Sequence, residues 1–217
     1  MKGFSCRMGG GKRDKPVPGA VPVLDFNQTP VEGNGMAVTP RLTLDEFLQR
    51  PETKPASEYV CGEPSQKPMP DWNHARIQTF LAGLLLQVLS RSGLGTVLTE
   101  FRCIFGPSGA TRAFVPDLVV IRQDRLPQGR YLYAPPDLAI EILSPDQPQA
   151  EFAAKLAFYL RHGVRLVWVI DPNQSTIAVL APGADSRLLT AADNLDGGDV
   201  LPNFSVPVAD IFAQMAR

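Results

Sequence analysis

The sequence places an acidic residue inside each of two apolar segments, FVPDLVVI at residues 114–121 and LAIEIL at residues 138–143. The short length and the apolar composition of both segments predict β-strands, and the second strand is expected to be central in its sheet. A carboxylate in such a strand is costly unless it is paired with a cation or binds a metal. Asp117 and Glu141 are therefore the first candidates for functional residues.

A simple pairing of the two strands would bring these acids together. If the chain reverses symmetrically around Gly129, Asp117 lies directly opposite Glu141. Directly opposite residues share one face of the sheet, with Cβ atoms about 4.5–5.5 Å apart. Two ionised carboxylates at that separation repel each other. A divalent cation with a preference for oxygen ligands, Mg²⁺ or Mn²⁺, would relieve the repulsion.

The neighbouring sequence predicts the rest of the core. Asp71 can cap a helix whose apolar residues recur with a period of 3.6 until Gly93. Further elements are predicted as follows: a helix starting at Thr43, a hairpin over 57–69, a strand over 96–105, a helix over 148–162, a strand over 165–170, an edge strand over 176–180 and a helix over 207–215. The core order is helix, three strands, helix, strand. This order predicts an α/β fold with a central mixed sheet flanked by helices.

Residues 1–40 differ from this pattern. They are rich in Gly, Pro and short polar residues, and they show no sustained helical or strand period. We expect a flexible N-terminal tail over 1–40 and a single folded domain over 41–217. The sequence from Met36 onward looks like a natural protein start, so residues 1–35 are interpreted as an upstream extension.

Composition excludes several classes of protein. A hydrophobic fraction of 44% in 217 residues suits a packed domain, and no apolar run reaches the roughly 18–20 residues that span a bilayer. The three cysteines lie far apart, which argues against a disulfide framework or a zinc knuckle and fits a cytoplasmic protein. The net charge of −1 removes the argument for a globally basic nucleic-acid binder.

Lys155 has two interpretations. It borders the apolar stripe formed by Phe152, Leu156 and Tyr159, so its ammonium could lean toward the sheet and stabilise a pentavalent phosphate. Alternatively, Lys155 forms a surface ion pair with Glu151, four residues earlier, worth about 0.2–0.5 kcal/mol. The sequence supports both interpretations.

Other polar residues are candidate neighbours of the site. His74 could carry a proton or simply cap and pack its helix. Glu100 could approach Asp117 or pair with an arginine across the strands. Gln66, with the adjacent Lys67, could face the site or the solvent.

Arginines near the ends of the second and third strands could contact phosphate groups, in particular Arg102 and Arg112, although a solvated surface is equally consistent with them. Asp137 lies about 13 Å from Glu141 along its strand, so we expect it to cap the strand entrance and not to bind metal. Trp72 and Trp168 are expected in the core or an interface.

A series of short motifs in this order resembles the Uma2-type restriction endonuclease family of the PD-(D/E)XK nuclease superfamily, across about residues 42–216. The motifs are EY at 58–59, GE at 62–63, QKPMP at 66–70, EFR at 100–102, VPD at 115–117, PDLAIEILSP at 136–145, GV at 163–164, DP at 171–172 and LPNF at 201–204, together with His74, Lys155, Tyr159 and Trp168.

This resemblance implies a restriction-endonuclease-like core with Asp117 and Glu141 as metal ligands. It also implies that Lys155 is the catalytic lysine of the superfamily, moved onto the following helix. The sequence departs from the superfamily in two ways. Leu143 stands where a lysine is usual, and the helix over 71–93 offers no inward glutamate, so that His74 and Glu100 are candidate substitutes.

The expected function is therefore a Mg²⁺- or Mn²⁺-dependent endonuclease that hydrolyses DNA phosphodiester bonds. Such an enzyme would most simply cut both strands as a homodimer. One alternative is a catalytically inactive module of the same fold that binds nucleic acid or protein. A metal-free sugar hydrolase with two carboxylates is disfavoured, because no aromatic residues suited to sugar stacking surround the two acids.

Overall fold

The computed structural model describes residues 41–145 and 147–215. The predicted tail over 1–40 and the predicted start at Met36 lie outside the described residues. Within the described ranges, no helix is both long enough and apolar enough to cross a membrane.

The described chain forms four α-helices, two short 3-10 helices (Gln123–Arg125 and Ala213–Met215) and twelve strands. The helices are α1 (Leu44–Leu48), α2 (Trp72–Ser92), α3 (Gln149–Arg161) and α4 (Val208–Phe212). The strands are β1 (Ser57–Val60), β2 (Glu63–Gln66), β3 (Gly95–Thr99), β4 (Cys103–Phe105), β5 (Arg112–Phe114), β6 (Leu118–Arg122), β7 (Leu138–Ile142), β8 (Leu166–Asp171), β9 (Thr176–Leu180), β10 (Arg187–Leu189), β11 (Asn194–Gly197) and β12 (Leu201–Pro207).

A six-stranded mixed sheet with the order β10-β9-β8-β7-β6-β3 forms the centre. The strands β7 and β8 are parallel, and the other neighbours are antiparallel. One face packs against α2 and α4 through Leu118, Ile140 and Trp168. The other face packs against α3 through Val119 and Ala139. Alternate residues of the strands therefore bury both faces, as the nearly continuous apolar sequence predicts.

The register between β6 and β7 is the one that the sequence predicts. Leu118 pairs with Ile140, and Val119 pairs with Ala139. Extended by one residue, this antiparallel register sets Asp117 opposite Glu141, at the beginning of β6 and inside β7. The symmetric reversal around Gly129 is thus confirmed.

Two of the predicted strands are each divided between two sheets. The predicted strand over 96–105 ends at Glu100, whose φ of 49° interrupts extended backbone, and it continues as β4. The predicted strand over 114–121 is broken at Pro116, which has no N–H group to donate to a ladder. The resulting β4 and β5 belong to a smaller sheet with the order β2-β1-β5-β4.

The predicted position of the strand over 176–180 is also wrong. This strand, β9, is not at the edge, because β10 pairs along its outer side. The predicted ends of α2 are confirmed. The side chain of Asp71 accepts a hydrogen bond from the N–H of His74 at 2.8 Å, and Gly93 ends α2 in the left-handed conformation with φ of 66°.

We predict opposite outcomes for two neighbouring leucines of α2. Leu85 is 0% exposed in the core, whereas Leu86 is 51% exposed. Leu85→Ala should lower the free energy of unfolding by about 2–5 kcal/mol, because it leaves a cavity under the sheet. Leu86→Ala, the control, should change it by less than about 0.5 kcal/mol. Urea unfolding followed by circular dichroism measures both, and equal losses would contradict the described packing of α2.

Candidate active site

Asp117 and Glu141 lie together where β6 begins and β7 runs beside it, and each residue is only 2% exposed. The N–H of Ile142 donates to Oδ2 of Asp117 at 2.7 Å, which ties the first acid to the strand of the second. The prediction that the fold brings these two carboxylates together is confirmed. Their burial requires compensating donors and positive charge.

Lys67 supplies the first positive charge. It follows β2 directly, and its Nζ donates to Oδ1 of Asp117 at 2.5 Å and to the carbonyl of Val115 at 2.8 Å. His74 Nε2 lies 3.4 Å from the same Oδ1. Burial alone would raise the pKa of Asp117, but the Lys67 ammonium and the His74 side chain outweigh burial and lower this pKa below its usual value. Asp117 is therefore an ionised carboxylate at neutral pH.

Lys155 supplies the second positive charge. Its Nζ lies 2.8 Å from Oε1 of Glu141 and 2.8 Å from Oε1 of Glu58. Burial would lower the pKa of Lys155, but the carboxylates of Glu141 and Glu58 raise it. Lys155 is buried, so the alternative of a surface pair with Glu151 is wrong.

Two further contacts complete the arrangement. The hydroxyl of Tyr159 donates to Oε1 of Glu141 at 2.8 Å, and the N–H of Val115 donates to Oε1 of Glu58 at 2.8 Å. We refer to Glu58, Asp117, Glu141, Lys67 and Lys155 as the acid–lysine cluster. It joins strands of both sheets to α3.

The acid–lysine cluster lines a cleft of about 660 Å³. The walls of the cleft are residues 54–56, the hairpin residues 65–70, residues 144, 145, 147 and 148, and the beginning of α3. Gln66 and Glu100 are exposed residues of this lining, and Gln66 Nε2 donates to the carbonyl of Pro55 at 3.0 Å. His74 is buried, and its Nδ1 has no hydrogen-bond partner among the described residues. All three predicted neighbours therefore lie at the same cleft as the two acids.

The two predicted phosphate contacts are placed elsewhere. Arg102 is buried, with Nη2 2.5 Å from Oε2 of Glu52 and Nη1 donating to the carbonyl of Ser57. The guanidinium of Arg112 lies 4.1 Å from the centre of the Phe158 ring. Neither arginine lines the cleft. The prediction that they contact a phosphate at this site is therefore not supported by their positions, because each packs within the smaller sheet and its neighbours.

Two outcomes concern residues outside the cleft. Asp137 is buried and accepts hydrogen bonds from the Arg122 N–H at 3.0 Å and from Arg125 Nη1 at 2.7 Å. It therefore holds the entrance of β7, as predicted. Trp168 is fully buried in the core, as predicted, whereas Trp72 is 64% exposed, so that of the two predicted positions only an interface stays a prediction for Trp72.

The sequence analysis missed the roles of Glu58 and Tyr159, and it left open whether Lys67 faces the site or the solvent. Glu58 carries a weak signal, because it precedes Tyr59 in a short strand that is otherwise half-buried or buried. For Lys67 the only signal is its position beside Gln66 on the hairpin, and the structure places it at the site, against Asp117. Tyr159 was expected only to pack against the core.

The donor set suits a hard divalent cation by its chemistry. Asp117 and Glu141 offer carboxylate oxygens, the ligand type that Mg²⁺ and Mn²⁺ prefer. The hydrogen bonds that Glu141 accepts go to Oε1, and none from the described part of the chain goes to Oε2. Within residues 41–145 and 147–215, no three His, Cys, Asp or Glu residues are grouped so as to hold a metal.

Comparisons with known proteins agree with one another. Residues 44–209 match the Uma2 family, which is described as "Putative restriction endonuclease". The structure is similar to the crystal structure of a "putative nuclease belonging to DUF820" from Anabaena variabilis ATCC 29413, with 32% sequence identity and a TM-score of 0.74. The match covers 80% of this chain and 99% of that chain. No curated protein matches the chain. The expected restriction-endonuclease-like fold is thereby confirmed.

We predict that Lys155→Met destabilises the fold strongly. The change leaves Glu58 and Glu141 buried without their shared ammonium, which should cost about 3–5 kcal/mol in the free energy of unfolding. Adding Glu58→Gln removes one of the uncompensated charges and should recover part of the loss. Urea unfolding in EDTA measures the three forms.

The matched control is Glu151→Gln, which removes the partner of the rejected surface pair. It should change the free energy of unfolding by less than about 0.5 kcal/mol. A Lys155→Met variant as stable as this control would contradict the described cluster.

Proposed function

Because the chain belongs to the Uma2 family, we propose that it is a Mg²⁺- or Mn²⁺-dependent endonuclease that hydrolyses DNA phosphodiester bonds. The observation that carries the proposal is the burial of Asp117 and Glu141 side by side on the lining of a cleft. The family description supports DNA as the substrate. A homodimer and a cytoplasmic location stay predictions.

The charges of the acid–lysine cluster favour an additional cation. Glu58, Asp117 and Glu141 contribute three carboxylates, against the two ammonium groups of Lys67 and Lys155. Burial raises the pKa of Glu141 despite the neighbouring Lys155 and Lys67 ammonium groups, so a further cation beside this carboxylate would stabilise its ionised form. The attraction is stronger in a buried site than at the surface, because the effective dielectric constant is lower. Asp117 and Glu141 would hold the cation through their carboxylate oxygens.

The residues around the two acids would then have separate roles in the reaction. The chemistry that a bound divalent cation supplies is Lewis-acid activation of water and neutralisation of phosphate charge. Lys155 orients Glu141 and adds fixed positive charge beside the place where the phosphate charge develops. Tyr159 and Glu58 hold Glu141 and Lys155 in position through their own hydrogen bonds.

A second candidate function is a binding module without turnover. It is favoured by the occupation of both Asp117 oxygens, since Lys67 donates to Oδ1 and the Ile142 N–H donates to Oδ2. Such a module would bind DNA and leave it intact.

The deciding experiment incubates the full chain with supercoiled plasmid and with single-stranded DNA, in Mg²⁺, Mn²⁺ or EDTA. We expect cleavage that requires the metal. Glu141→Gln and Asp117→Asn should each lower the rate by about 100-fold or more, because each removes a carboxylate that would hold the cation.

The control is Asp124→Asn, an exposed carboxylate at the far end of β6 that pairs with Arg122, and its rate should equal that of the wild type. Cleavage in EDTA, or rates unchanged in Glu141→Gln, would contradict the proposal. DNA binding without cleavage in either metal would favour the binding module.

A further inference from the structure

Lys67 differs from Lys155 in how it is held. Lys155 lies between two carboxylates, and its side chain is 8% exposed inside the domain. Lys67 has a single carboxylate partner, Asp117, and one carbonyl acceptor, and its side chain is 14% exposed. All four residues of the preceding strand β2 are exposed, at the edge of the smaller sheet. Lys67 can therefore leave its partner with less rearrangement than Lys155 can.

The Lys67 ammonium also contacts the Asp117 oxygen that is not bonded to the backbone of the sheet. It contacts Oδ1 of Asp117, while Oδ2 accepts the Ile142 N–H inside the sheet. The bond at Oδ2 belongs to the backbone of β7 and is fixed by the fold. Oδ1, which faces the Lys67 ammonium and carries no bond to the strand backbone, is therefore the Asp117 oxygen that a divalent cation reaches with the least change in the sheet. An ammonium at hydrogen-bond distance from the same oxygen would repel that cation across a few ångströms of poorly solvated space.

We propose that Lys67 is an intrinsic competitor of the divalent cation for Asp117. It neutralises the buried carboxylate when no metal is bound, and it moves aside into the cleft when the metal binds. This inference rests on the proposed function, because it assumes that Asp117 is a metal ligand. It adds to that function that Lys67, at the end of the hairpin, controls the affinity of the site for the metal.

The chain offers a matched control for long-range charge effects. Lys54 lines the same cleft and is exposed, and no ion pair to Asp117 is formed by it. Lys54→Met and Lys67→Met remove the same charge from the same cleft. They differ in whether the removed ammonium contacts Asp117.

The experiment measures Mn²⁺ binding to the substrate-free full chain by isothermal titration calorimetry. Lys67→Met should lower the Kd for Mn²⁺ by at least about tenfold relative to the wild type, which corresponds to about 1.4 kcal/mol. Lys54→Met should change the Kd by less than about threefold. Equal Kd values for Lys67→Met and Lys54→Met would overturn the inference, and so would weaker binding by Lys67→Met.

A second measurement covers the case in which Lys67→Met is poorly folded in EDTA. A ligand that binds only the native state raises the melting temperature, and at a given concentration it does so more when its Kd is lower. Mn²⁺ should therefore raise the melting temperature of Lys67→Met more than that of the wild type. Adding Asp117→Asn should abolish this difference. A Mn²⁺ effect no larger in Lys67→Met than in the wild type would overturn the inference.

The two proposals fail in different ways. If the wild type and Lys67→Met both fail to bind Mn²⁺ and Mg²⁺, the metal-dependent function itself is overturned, together with this inference. If the wild type binds Mn²⁺ through Asp117 and cleaves DNA but Lys67→Met binds no tighter, only the role of Lys67 is overturned.

Discussion

The burial of two carboxylates at one end of a β-sheet governs the organisation of the site. Asp117 directly precedes β6 and Glu141 lies inside β7, and the strand residues around them are apolar, so the side chains of the sheet offer them few polar partners. Their compensation comes from Lys67 on the hairpin and Lys155 on α3. Because an unpaired charge inside a protein is expensive, these elements must be placed accurately against the sheet. The same contacts thus connect the site to the tertiary structure.

These contacts also connect the two sheets. Lys155 links Glu58 of the smaller sheet with Glu141 of the central sheet, and the Glu58 carboxylate also receives the Val115 N–H. The chain passes from β5 to β6 through Pro116 at this junction, where no strand ladder is available to satisfy the backbone. The Glu58 carboxylate therefore accepts a backbone hydrogen bond, from Val115, that a neighbouring strand would accept inside a sheet.

Much of the fold could be predicted from the sequence, because the residue types and apolar patterns within each segment indicate most of the core elements. The register that sets Asp117 opposite Glu141 follows from a symmetric reversal, and the caps at Asp71 and Gly93 follow from residue type. The division of two strands between sheets could not be predicted from apolar composition, which does not report the positive φ of Glu100. Glu58 was missed as a cluster member, and the position of Lys67 was left open between the site and the solvent. The partners of both residues depend on how the hairpin docks, and local periodicity contains no information about that docking.

The hairpin of β1 and β2 is short, and its outer strand β2 is exposed. By these two properties alone it would be taken for a surface loop that can be deleted. It nevertheless carries Glu58, and the residue that follows it is Lys67. Trimming it to make a minimal domain would take away the partner of Lys155 and the partner of Asp117 at once. Any shortened or transplanted version of this fold must therefore retain the hairpin with the central sheet, even though the two belong to different backbone ladders.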